Sequence, residues 1–271
     1  MPRTRVLAAV VALILAAWTS SESLAQRYGG SGQGYGSYGR NQSRNSQPGV
    51  FDYYLLSLSW SPTFCASQPR NAADPQCNRS GRPYAFVLHG LWPQFERGWP
   101  QDCASPDRGF VPRDVADRML DIMPSLKLVF HEYRKHGTCS GLGVNGYFEM
   151  ARSTYERVKI PARFRQVVDE RLFVSPSELI QEFVSANPGL RPDMMVVSCS
   201  GPGNRLQEVR ICVDKQGGFR PCGGNENQRR LCSAPRMYVP PVRSGAGAPA
   251  DDRPTNRTPM PGSRPAEQKS L

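Results

Sequence analysis

Two apolar runs open the central part of the chain: residues 51–60 read FDYYLLSLSW and residues 82–92 read RPYAFVLHGLW. Both are rich in aromatic and aliphatic residues, the first closed by Pro62 and the second by Gly90, so both read as β-strands. The pattern then changes period. Residues 114–123 (DVADRMLDIM), stopped at Pro124, and residues 125–137 (SLKLVFHEYRKHG), with Ser125 as N-cap and Gly137 at the C-terminal end, read as helices. So do 146–158, 162–173 and 175–189, the last with Pro176 in its first turn. Short strands follow at 194–200, 206–214 and 229–234. Strands, then helices, then strands predict an α+β fold: a central, largely antiparallel sheet packed with several helices.

The flanks differ in kind from this centre. Arg3 and Arg5 precede an apolar run from Val6 to Trp18, and Ser23-Leu24-Ala25 offers small residues at a cleavage site, so residues 1–25 read as a signal peptide. A retained anchor is the competing reading, but the run is shorter than the roughly 18 residues a spanning helix needs. Residues 26–48 hold Gly, Ser, Tyr, Gln and Arg and are expected to form a disordered linker; the Pro/Arg-rich segment 241–271 is expected to be a disordered tail. One folded domain remains, residues 49–240. It holds 24 Lys and Arg against 19 Asp and Glu, a net of +5 out of +11 for the whole chain. That mild excess permits a polyanionic partner without demanding one.

All eight cysteines lie inside the domain, at 65, 77, 103, 139, 199, 212, 222 and 232. Their even number behind a signal peptide predicts four disulfides and an oxidising compartment. Metal ligation is the other use of cysteine, but there is no C-x-x-C pair and no Cys/His knuckle.

Chemistry concentrates in residues 130–139, FHEYRKHGTC, which hold two of the three histidines of the chain. On a helical wheel Leu126, Val129, Phe130 and Tyr133 share one arc, while His131, Glu132, Lys135 and His136 lie within roughly 140° on the other side. Glu132 and His136 are i,i+4 neighbours, as are His131 and Lys135, so the carboxylate is expected to orient one imidazole while the ammonium and the other imidazole bind an anion. The spacing H-E-x-x-x-H is not that of a zinc-protease helix, because the extra residue swings His136 by ~100° from the position an H-E-x-x-H pair needs. His89 is the remaining histidine. Ala85, Val87 and His89 alternate to one side of their strand, Gly90 lets the backbone turn, and Trp92 follows with a flat face suited to a nucleobase. Taken singly, a histidine or a tryptophan is more often a packing residue than a site residue. Together, two imidazoles flanking a phosphodiester suit in-line attack by a ribose 2′-OH, one taking the hydroxyl proton and the other protonating the departing 5′-oxygen.

Residues 86–94 (FVLHGLWPQ) and 130–139 (FHEYRKHGTC) closely resemble the two active-site segments of the ribonuclease T2 family of secreted endoribonucleases. The resemblance extends from about 51 to 234, through LSLSWSPTFC (56–65) and RICVD (210–214). It implies an α+β fold with His89 as general acid, His136 as general base, Glu132 and Lys135 as the transition-state-stabilising pair, His131 as the phosphate-binding histidine and Trp92 as the base-stacking residue. It also implies that Cys103 pairs with Cys139, tying the two active-site segments, with Cys65–Cys77, Cys199–Cys232 and Cys212–Cys222 expected from order and spacing. Gln94 stands where members often carry an acidic residue or asparagine, which makes it, with Trp92, the base-contacting position that bears on preference.

The expectation is therefore a secreted, monomeric endoribonuclease acting on single-stranded RNA, with no cofactor, no metal and no membrane association after signal cleavage. The resemblance implies passage through 2′,3′-cyclic phosphates to 3′-phosphate ends. The rival is a secreted RNA-binding or toxin-like family member acting without turnover, and a disulfide-stabilised phosphatase is a third possibility. The presence of His89, His131, His136, Glu132 and Lys135 together favours the enzyme.

Overall fold

The computed structural model describes residues 46–69, 74–78, 82–165 and 171–242. The signal-peptide reading, residues 26–45 of the linker reading and the tail reading beyond Val242 lie outside the described residues. Twelve elements follow in chain order: β1 (Tyr53–Trp60), α1 (Ser61–Ser67), β2 (Phe86–Gln94), α2 (Arg113–Asp117), α3 (Leu126–Lys135), α4 (Gly143–Arg157), β3 (Leu172–Val174), α5 (Pro176–Ala186), β4 (Met195–Ser200), β5 (Arg205–Val213), α6 (Gln228–Leu231) and β6 (Met237–Val239). The six strands form one sheet in the order β2-β1-β5-β6-β3, with β4 also paired to β5. Every pairing is antiparallel except β5 with β6, which meet in parallel at Arg205 and Tyr238. The fold is α+β, as the order of elements predicts.

Period-two alternation sorts each central strand. Tyr54, Leu56 and Leu58 of β1 and Val209, Ile211 and Val213 of β5 enter the main core, where Val129 and Tyr133 of α3, Tyr147 and Phe148 of α4, and Leu179 and Phe183 of α5 meet them. Each fully buried apolar side chain of this size stabilises by about 1.5–3 kcal/mol relative to exposure. The residues between them face the other way: Tyr53, Leu55 and Cys212 form a smaller cluster against which Trp92 and Cys222 pack. Four disulfides join Cys65–Cys77, Cys103–Cys139, Cys199–Cys232 and Cys212–Cys222: the pair that the resemblance implies and the three expected from order and spacing.

Several local expectations are corrected. Gly90 does not end β2, which runs on to Gln94. The helix expected over 114–123 is a single turn, Arg113–Asp117, because the following residues close into turns and the carbonyl of Ile122 instead accepts from Leu88 N at 2.9 Å, docking the segment on β2. The helix expected over 162–173 is a 3-10 turn at Ala162–Phe164 and then a strand, β3, since pairing with β6 overrides the local propensity; residues 166–170 between them lie outside the described residues. The strand expected at 229–234 is the short helix α6, whose Asn227 side chain accepts from Arg230 N. The strand that completes this side of the sheet is β6, at 237–239. At the amino-terminal boundary, Gly49 N donates to Cys139 O at 2.9 Å and Ser46 Oγ accepts from Gln101 N at 3.4 Å, and at the other end Val242 is buried. No helix among the described residues is long and apolar enough to cross a membrane.

Candidate active site

The edge strand β2 carries an irregularity at the residue that matters. Ser57 of β1 pairs with Gly90 and Leu58 with Leu88, so His89 has no opposite partner in the register and is the extra residue of a β-bulge. Phe86 and Leu88 before the bulge and Leu91 after it all enter the core, whereas His89 is left half-exposed. Gly90 acts differently from the sequence expectation. It stays in the strand, and a Cβ at this position would collide with the carboxylate of Glu132 and the indole nitrogen of Trp92. Glycine is thus the gap through which the helix reaches the strand.

Helix α3 supplies the opposite wall. Val129 and Tyr133 anchor it in the core, which turns Glu132 inward until it is 1 % exposed. The carboxylate does not pair with His136, as the i,i+4 spacing suggests. One oxygen accepts from Trp92 Nε1–H at 2.6 Å and the other lies 3.5 Å from His89 Nε2. His136 closes the helix as its C-cap, its backbone N–H donating to Glu132 O at 2.9 Å. Its ring lies 5.2 Å from the indole of Trp92 at an interplanar angle of 31°, and its Nδ1 is buried without a hydrogen-bond partner. His131 projects from the exposed side of α3, and Lys135 is half-buried. The Lys135 carbonyl accepts from Asp102 N at 2.8 Å, next to the Cys103–Cys139 disulfide, so the loop following β2 is fastened to the end of α3 twice.

The sheet supplies a third wall that sequence reading missed. Glu208 and Arg210 of β5 alternate with core residues and so face the side of β5 opposite the core. Glu208 Oε1 lies 2.5 Å from His89 Nδ1, its Oε2 accepts from Arg210 Nε at 2.8 Å, and the Arg210 guanidinium sits over the Trp92 ring, 5.4 Å from its centre. A charged pair at i,i+2 between three aliphatic residues on one strand was the available signal. Asn225 is the other missed residue. Its Oδ1 accepts from Gly98 N at 2.7 Å and its Nδ2 donates to Gly98 O, Phe95 O and Gln94 Oε1, at 2.8, 3.1 and 3.2 Å. These bonds fix the amide orientation of the buried Gln94, leaving its Nε2 as the donor directed away from the clip.

The surroundings drive the two inward histidines apart. For His89, burial opposes the charge, but the hydrogen bond and charge of Glu208, with Glu132 behind it, outweigh burial and the opposing Arg210, and the pKa is raised. For His136, burial leads and the positive charges of Lys135, His89 and His131 add to it, lowering the pKa to about 3. Glu208 is held ionised at about 2, burial being overcome by Arg210 and His89. Glu132 is raised by burial in spite of His89 and Trp92. Trp92 is therefore flanked by one imidazole whose surroundings favour its proton and one whose surroundings disfavour it.

Comparison with known proteins shows the family of the chain. A model of the Ribonuclease T2 family matches residues 51–222. A ribonuclease of Aeromonas hydrophila is 33 % identical over 210 residues, covering 73 % of this chain and 89 % of its own. Ribonuclease I of Escherichia coli (strain K12) is 30 % identical over 206 residues, covering 62 % of this chain and 76 % of its own. Among solved structures, an RNase-related protein from Calystegia sepium superposes with a TM-score of 0.54 at 22 % identity, covering 71 % of this chain and 98 % of its own, and shares the fold. With its family model spanning both motif segments and the strand that carries Glu208 and Arg210, this chain belongs to the ribonuclease T2 family.

Proposed function

We propose that the protein is an endoribonuclease cleaving single-stranded RNA by transphosphorylation, with His136 as general base and His89 as general acid. The observation that carries this reading is the pairing of His89 with two carboxylates, one at each ring nitrogen, against a buried His136 that meets none. His136 takes the 2′-hydroxyl proton as the 2′-oxygen bonds to phosphorus; the P–O5′ bond breaks, and the proton on His89 Nε2 passes to the 5′-oxygen. The products are a 2′,3′-cyclic phosphate and a free 5′-hydroxyl. Hydrolysis of the cyclic ester runs the same groups in reverse, water replacing the 5′-hydroxyl, His89 accepting its proton and His136 returning one to the 2′-oxygen. An anionic phosphodiester between the rings favours protonation of both, which offsets the low proton affinity of His136 in the free protein. Lys135, His131 and Glu132 supply charge and hydrogen bonds to the non-bridging oxygens. The two proton transfers call for no metal.

Trp92 supplies the stacking face, and the amide N–H of Gln94, on the same side of β2, donates to a carbonyl of the base. Secretion of a monomer after removal of residues 1–25 completes the reading, supported by four disulfides that suit an oxidising compartment.

The test is incubation of purified protein with RNA, with its 2′-deoxy analogue, and with RNA plus EDTA. RNA should give 2′,3′-cyclic ends that convert to 3′-phosphates, the deoxy analogue should remain intact, and EDTA should have no effect. Cleavage of the deoxy substrate overturns the mechanism. Replacing His89 or His136 by Ala should lower turnover by about 100-fold or more.

A further inference from the structure

Glu208 sits on a central strand, 9 % exposed, where an uncompensated carboxylate would be costly. It is compensated on both oxygens. Arg210 holds Oε2 alone, through Nε at 2.8 Å and Nη2 at 2.7 Å, which leaves Oε1 to meet His89 Nδ1, 2.5 Å away. The register bulges on both sides of this contact: His89 is the unpaired residue of β2, and Gln207 is the unpaired residue of β5 where Ser198 pairs with Glu208 and Cys199 with Leu206. Two strands are thus locally distorted where an imidazole and a carboxylate meet across the intervening β1.

We propose that Glu208, clamped by Arg210, is the positioning residue of the general acid, holding His89 so that Nε2 is the nitrogen that gives and takes the proton. This rests on the assignment of His89 above. With Nδ1–H donated to Glu208, the imidazole cannot rotate by a ring flip, and once Nε2 has delivered its proton the neutral ring is left in the tautomer that serves as base in the hydrolytic step. The remaining charged groups that act on the ring are Glu132 from α3, which adds to the effect of Glu208, and Arg210 from β5, which opposes it; His131 and His136 of the α3 side are in turn disfavoured as cations by His89.

The experiment compares the full protein with Glu208→Gln and His89→Ala on two substrates: RNA, and a ribonucleoside 3′-(4-nitrophenyl phosphate), whose leaving group departs without a proton. Glu208→Gln should lower kcat on RNA by about 10- to 100-fold with KM within about twofold, move the alkaline limb of the kcat profile at least about one pH unit toward acid, and lose less than about threefold on the nitrophenyl ester. An unmoved limb, or equal losses on the two substrates, overturns the proposal. If His89→Ala spares the ester and Glu208→Gln does not, only the positioning role fails; if His89→Ala leaves RNA cleavage unchanged, the assignment of the acid itself fails. A measurement on the parent protein covers a variant that does not fold: long-range proton–nitrogen spectra above the His89 pKa should show the neutral ring protonated at Nδ1. Protonation at Nε2 instead overturns the proposal.

Discussion

The indole N–H of Trp92 donates to the carboxylate of Glu132 at 2.6 Å, a bond between the two motif segments across 40 residues of chain. Glu132 is buried and this is the shorter of its two side-chain contacts described above, so the tryptophan has a structural duty besides the stacking proposed for it. Trp92→Phe keeps an aromatic face and removes only the donor. It should leave KM within a few-fold while kcat falls about 10-fold, and urea unfolding should show a loss of about 1–3 kcal/mol from the unsatisfied carboxylate oxygen. An equal loss in KM, with stability unchanged, would assign Trp92 to base binding alone.

Gly90 predicts a sharper effect. Its φ is not in the left-handed region, so backbone strain is no objection to Gly90→Ala; the added methyl strikes the Glu132 carboxylate and the Trp92 indole. Displacing either by about 1 Å should cost on the order of 100-fold in turnover, with the circular dichroism of the folded protein retained. Near-parent activity would show that the two walls can separate without consequence.

The two histidines should write opposite slopes into stability. His136, with a folded pKa of about 3 against about 6.5 unfolded, takes up its proton preferentially in the unfolded chain. The stability this represents is complete above pH 6.5 and is lost toward pH 3, by about 1.4 kcal/mol per unit where the protonation states differ fully. His89, raised in the folded state, contributes below pH 6.5 and loses its contribution as pH rises through its folded value. Urea unfolding of the parent and of His136→Phe, disulfides intact, should therefore diverge as pH falls from 6.5 to 4, the parent weakening faster. A constant difference across that range would contradict the buried, partnerless Nδ1.

Base preference should follow Gln94. With Oε1 committed to Asn225, its amide offers a donor, which favours carbonyl-bearing edges; Gln94→Asp offers acceptors, which favour exocyclic amines. The ratio of kcat/KM for poly(U) over poly(C) should shift toward poly(C) by about 10-fold. Asn225→Ala, which frees the Gln94 carbonyl, should blur the preference; an unchanged ratio in both variants would move recognition elsewhere on the wall.

Much of this was legible from the sequence because the two motif segments are local: two histidines, a carboxylate and a lysine within one short helix and its cap, a third histidine on a strand, and cysteines that pair. The single polar face expected for the four is not found, since Glu132 turns inward and His131 outward. What was not legible depends on tertiary pairing. Leu172–Val174 reads as the end of a helix until Met237–Val239 pairs with it, and Glu132 reads as the partner of His136 until the gap at Gly90 admits it to His89 and Trp92. Glu208 and Arg210 sit far in sequence from His89, and only the order of the sheet, with β1 between β2 and β5, brings them together. Helix lengths were misjudged where a carbonyl had a better partner outside the helix, as Ile122 has in Leu88.

The bulge in β2 has a meaning in terms of counting. With His89 deleted, Leu88 and Leu91 would stand two positions apart, in step with Leu58 and its neighbours, and the sheet would pair without interruption. The architecture has no need of a residue at that place. It is a spare position, carried by a one-residue excess in strand length and filled by the imidazole, so the chemistry proposed for His89 depends on how many residues β2 contains as much as on which ones they are.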